Sequence, residues 1–207
     1  QQYQRLEEIA EISSYKLQAM DGLMQSYFAL SQFDSAIICA NKLLSLDKLD
    51  EAVRERANYT LAKSLLANQN TGQAIEEFKR LTKAKNPEYA AEAQYTLAEL
   101  NFMAGKIDEA EKIIHQINAN PSSEYYLAKA FILWADIFKS KGNTLQAKQT
   151  LQSIIDNYEG DEELIETARQ KLISLTMQQE KTQQEKQEKR QEQQEAVDEI
   201  IIVDEPR

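Results

Sequence analysis

Protein catalysis relies mainly on histidine, cysteine and converging carboxylates, and this chain is poor in the first two. His115 is its single histidine and Cys39 its single cysteine. A nucleophilic triad needs a base beside its nucleophile, and a structural zinc needs four nitrogen or sulfur ligands. Neither can be assembled around one residue of each type. Gly105-Lys106 lacks the rest of a phosphate-binding loop. The acidic pairs Glu76-Glu77, Asp108-Glu109 and Glu162-Glu163 fall at helix starts or on wet faces, where they complement the helix dipole. The expectation is a chain with no catalytic set, no metal site and no cofactor.

Charge narrows the partners. Twenty-four basic and 34 acidic residues give a formal charge of −10, which repels phosphate and argues against nucleic acid. Lys79, Arg80, Lys83 and Lys85 read as a solvated helix face. No run of 18 apolar residues exists, so no segment is expected to cross a membrane. Cys39 has no second cysteine to pair with, and its helical register predicts a buried thiol.

Strand-like alternation is scarce, and the reading is all-α. In Ala91–Asn118 apolar and small residues recur at helical spacing on either side of Gly105, the residue best able to take the positive φ that ends a helix. The unit is a helix, a turn and a second helix, and it recurs. Its second-helix alanine is Ala36, Ala74, Ala110 and Ala147, at spacings of 38, 36 and 37 residues. Four residues later come Ala40, Phe78, Ile114 and Leu151; seven later, Leu43, Leu81, Ile117 and Ile154. Twelve before the alanine come Met24, Ala62, Ala98 and Ala135; thirteen before, Leu23, Leu61, Leu97 and Trp134. Small residues let helix backbones approach and larger ones fill the holes beside them. Helices are predicted over 15–31, 33–46, 51–68, 71–84, 88–104, 107–119, 123–141 and 144–158. Gly72, Gly105 and Gly142 are expected to mark the internal turns.

This register of leucine, small residue, aromatic and later alanine resembles the tetratricopeptide repeat family. The repeats are longer than that family's usual period and lack its closing proline, and in this they are similar to cell-envelope repeat proteins of bacteria. The resemblance implies an α-solenoid of four hairpins over residues 15–158 and a non-enzymatic scaffold for a protein or peptide partner, held in a groove lined by the first helices. By the same resemblance the groove positions are Asp21, Gln25, Phe28, Tyr59, Lys63, Leu66, Tyr95, Glu99, Phe102, Ile132, Asp136 and Lys139. Asp21 stands where a carboxylate-gripping relative carries lysine, so that activity does not transfer. A periplasmic or outer-membrane setting is implied by the resemblance alone.

The two ends of the chain differ from the repeats. Residues 1–14 fit the second helix of a truncated preceding repeat, whose open end is a route to self-association. Residues 159–177 read as a capping helix with Asp161 as its N-cap. Residues 178–207 form a Gln/Glu/Lys tail, either an exposed helix or disordered up to Glu195. Within it Ile200, Ile201, Ile202 and Val203 favour extended structure and are a candidate partner motif.

Overall fold

The computed structural model describes the backbone of residues 2–203 and the side-chain surroundings of residues 14–191. The described residues form α1 (Gln2–Ala29), α2 (Phe33–Leu44), α3 (Glu51–Ala67), α4 (Thr71–Leu81), α5 (Pro87–Met103), α6 (Ile107–Ala119), α7 (Glu124–Ser140), α8 (Thr144–Asn157) and α9 (Glu162–Val203). Start signals act locally. The Asp50 carboxylate accepts the Ala52 and Val53 N–H groups at 2.9 and 3.4 Å. Asn86 accepts those of Glu88 and Tyr89 at 3.0 and 3.3 Å, with Pro87 at the first helical position. Asp161 accepts the Leu164 N–H at 3.0 Å. Each satisfies donors that a helix start leaves orphaned.

The internal turns are four copies of one structure. Five residues before each repeat alanine stands a residue of positive φ: Ser31 (57°), Gln69 (61°), Gly105 (73°) and Gly142 (78°). Each donates its N–H to the carbonyl three residues back, and the next residue donates five back: Ser31 to Phe28 and Gln32 to Tyr27, Gln69 to Leu66 and Asn70 to Leu65, and likewise for Gly105 and Gly142. This double closure is the Schellman ending of a helix. Glycine is at ease in it; serine and glutamine are strained. Gly72, expected at the second turn, lies inside α4 instead, and Gln69 bears the left-handed backbone. Gln69→Gly is therefore expected to raise unfolding free energy by about 0.5–1 kcal/mol, read from urea denaturation.

The chain divides into two compact units, Gln1–Ala130 and Phe131–Arg207. In the first, α1–α2, α3–α4 and α5–α6 are antiparallel hairpins; α2 packs on α3, and α4 on α5. One core runs through Met24, Ala40, Leu43, Leu61, Ala62, Ala74, Phe78, Leu81 and Leu97. In the second, Ile132 and Ala135 of α7, Ala147, Leu151 and Ile154 of α8 and Ala168 and Leu175 of α9 share a core. All four repeat alanines are fully buried, as are the residues at plus four and plus seven to within 4%.

Several expectations need correction. Leu23 shares the register of the buried Leu61 and Leu97 yet is 51% exposed; among the described residues no second helix packs on α1 from the other side as α2 packs on α3. Residues 2–14 are continuous with the remainder of α1, which starts at Gln2, since Ser13-Ser14 alone does not interrupt a helix that has no proline or cap there. The packing expected of the truncated-repeat helix falls, for residues 1–13, outside the described side chains. α9 continues from the cap through the polar run to Val203, so the backbone of Ile200–Val203 is helical rather than extended, carried by the strong helix formers before it. Cys39 is half-buried at the edge of the first core, not enclosed.

Candidate protein-interaction face

Successive first helices of the first unit are joined by polar rungs. Eighteen residues before each alanine from the second onward stand Arg56, Glu92 and Lys129; fifteen before each of the first three stand Asp21, Tyr59 and Tyr95. Each member of the first row meets the corresponding member of the second on the preceding helix. Arg56 donates to Asp21 through Nε at 3.1 Å and Nη2 at 2.6 Å. Tyr59 donates its hydroxyl to Glu92 at 2.7 Å. The Lys129 ammonium stands 4.4 Å from the ring centre of Tyr95. One geometry thus carries an ion pair, a hydrogen bond and a cation–π contact.

A second layer of tyrosines braces the rungs. Tyr89 stacks on Tyr59 with centroids 4.4 Å apart, and Tyr126 lies 6.0 Å from Tyr95. Tyr89 and Tyr126 both fall 21 residues before their alanine, so this pairing also repeats. Glu92 is the hub. Besides Tyr59 it accepts from Lys63 and from Tyr126. Burial pushes its carboxyl pKa up, but the bonds from Lys63, Tyr126 and Tyr59 outweigh burial and hold it below the ordinary glutamate value. The same burial, with hydrogen bonding to a carboxylate, raises the Tyr59 and Tyr126 phenols above the usual tyrosine range. Both tyrosines therefore act as fixed donors at neutral pH.

Two family models, each described as a tetratricopeptide repeat, match residues 65–131 and 124–160. Over those residues the chain is built of tetratricopeptide repeats (TPRs). Among solved structures it is similar to "Crystal structure of MamA", at 23% identity and a TM-score of 0.53, covering 82% of this chain and 97% of that one. It is also similar to "Crystal structure of MamA protein", at 21% identity and 0.51, covering 82% and 94%. At such identities the likeness concerns the fold, an all-α TPR solenoid. No curated protein matches the chain.

Within this TPR-bearing chain the groove positions expected from the resemblance have distinct fates. Asp21, Tyr59, Lys63, Tyr95 and Glu99 are engaged between or along first helices, Tyr95 donating to Glu99 at 2.7 Å. Phe28 meets Phe33 edge-on at 6.0 Å, inside its own hairpin. Leu66 packs half-buried against the first core, Phe102 is half-buried and Gln25 is exposed. In the second unit Ile132 is 8% exposed and belongs to the core. Asp136 accepts both bonds of Lys171 at 2.8 and 2.9 Å, and it lines with Lys139 and Ser174 a shallow cavity of about 240 Å³. The side chains of Ile200, Ile201, Ile202 and Val203 lie outside the described residues. Reading positions 15, 11 and 8 before each alanine misses Arg56, Glu92 and Lys129. Counting back 18 finds a row of charges alternating in sign.

Elsewhere the chemistry-bearing residues stand apart. His115 is exposed on α6, and among the described residues no three His, Cys, Asp or Glu side chains converge on a metal position. Lys79 and Arg80 pair with Glu76 and Glu77 at 2.7 and 3.0 Å, both cations exposed and Glu77 largely covered. No described helix is long and apolar enough to cross a membrane.

Proposed function

We propose that this TPR-bearing chain is a non-catalytic scaffold that seats a peptide or helix of a partner protein on the first-helix face of its first unit, along α3, α5 and the opening turns of α7. The observation that carries this reading is the run Tyr59, Tyr89, Tyr125 and Tyr126 on successive first helices, with Tyr95 buried among them. Tyr59, Tyr95 and Tyr126 are already tied to Glu92 or Glu99. Rigid aromatic side chains offer contact area at low entropic cost, and aromatic anchors dominate protein interfaces. Tyr125, 38% exposed, is the outermost of them. An envelope setting belongs to the same proposal and draws on repeat length alone.

The test is selection of peptides from a random library on the full chain, then titration calorimetry of a selected peptide. Tyr125→Ala with Glu99→Lys is expected to weaken binding about tenfold or more while helicity is retained. Unchanged affinity would place the site elsewhere. A second reading, self-association through the N-terminal hairpin, draws on the exposed Leu23 and Leu30 (51% and 68%). A monomer by light scattering rejects it.

A further inference from the structure

Leu175 is the last described residue of α9 in the core of its unit, yet the helix runs on to Val203. At 1.5 Å per residue, Ile200 stands about 37 Å beyond Leu175 along the helix axis. The stretch between them includes Gln178–Glu195, which holds no apolar residue. Then come Ile200, Ile201, Ile202 and Val203, with Asp198 and Glu199 before them and Asp204 and Glu205 after. No basic residue lies between Arg190 and Arg207. A surface that receives this segment has to be apolar in its floor and basic at its edge.

The first hairpin carries such a surface. Between α1 and the turn that follows α2 lies an open cleft of about 440 Å³, lined by Lys16, Leu17, Met20, Leu46, Asp47 and Lys48. Leu17 and Met20 are half-buried against the first core, and Leu46 is 37% exposed. Lys16 and Lys48 are exposed, and among the described residues neither forms an ion pair. Two lysines against one acid make the cleft locally positive in a chain of formal charge −10. We propose that Ile200–Val203 of one copy docks in this cleft of a second copy, aliphatic side chains over Leu17, Met20 and Leu46 and flanking acids against the two lysines. The contact joins unlike surfaces, so it runs head to tail. Strongly acidic copies repel one another elsewhere, and the local reversal of charge selects this contact. It is independent of peptide binding at the first-helix face, and it uses other residues than Leu23 and Leu30.

The test is light scattering of the full chain across a range of concentrations, with two variants of confirmed helicity: Ile200→Asp with Ile201→Asp, and Lys16→Glu with Lys48→Glu. The wild type is expected to gain mass above the monomer as concentration rises. Each variant alone should remain a monomer or need about tenfold more protein to associate. Mixed in equal amounts they should form dimers, because the first keeps an intact cleft and the second an intact segment. A wild type that stays monomeric overturns the proposal, and so does a mixture that associates no better than its components. Association kept by both variants but lost with Leu23→Asp and Leu30→Asp overturns it too, and assigns the contact to the Leu23 and Leu30 patch instead.

Discussion

Phe78→Ala lowers the unfolding free energy by about 3–5 kcal/mol. Phe78 is fully buried four residues after Ala74, in a core that runs from α1 to α5. Truncation removes the largest of the enclosed side chains and leaves a cavity that close-packed helices refill only in part. Repeats are stabilised through their neighbours, so the loss reaches both adjoining hairpins. Urea denaturation followed by circular dichroism should show an earlier midpoint. Leu23→Ala is the comparison. Leu23 shares its register with buried leucines but is itself exposed, and its loss should cost less than about 1 kcal/mol. Equal costs for the two substitutions would mean that the alanine register does not define the core.

Glu92→Ala is expected to cost about 3 kcal/mol, more than an ordinary surface ion pair. The side chain of Glu92 is 13% exposed and that of Lys63 34%. Removing the carboxylate leaves Lys63, Tyr59 and Tyr126 with an acceptor lost at once, and partly buried donors without acceptors are costly. The dependence on pH has a definite sign. The folded-state pKa of Glu92 is depressed from its ordinary value of 4.5. Its contribution is therefore present in full above that value and is lost as pH falls through the lower, folded value. Stability measured across this acid range should fall less steeply in Glu92→Gln than in the wild type. Parallel acid limbs would remove Glu92 from the hub.

The packing of the hairpins could be read directly from the chain, and the polar face only in part, for a physical reason. Close packing admits few residue types where backbones approach, so Ala36, Ala74, Ala110 and Ala147 announce themselves. Turn geometry is less exclusive. Serine and glutamine occupy the left-handed position at moderate cost, and the one glycine near the second turn, Gly72, lies within α4 instead. Polar rungs are less exclusive still, because an ion pair, a hydrogen bond and a cation–π contact satisfy the same spacing with different residues. Asp21, Tyr59 and Tyr95 share no chemistry that would single out their row. α9 shows the opposite limit: its polar run has no apolar stripe to predict a helix, and only the propensity of Glu, Gln and Lys sustains one.

The four Schellman turns are alike, but the rungs are not, and this sets the sequence in which the hairpins can succeed one another. Turn geometry alone would let any hairpin succeed any other. Moving α5–α6 to a place directly after α1–α2 would bring Glu92 opposite Asp21, two acids where the native chain has an acid and a guanidinium. A shuffled protein would keep its apolar seams and its turns yet carry like charges at a joint, and the penalty would fall on the wrong arrangement rather than on the individual hairpin.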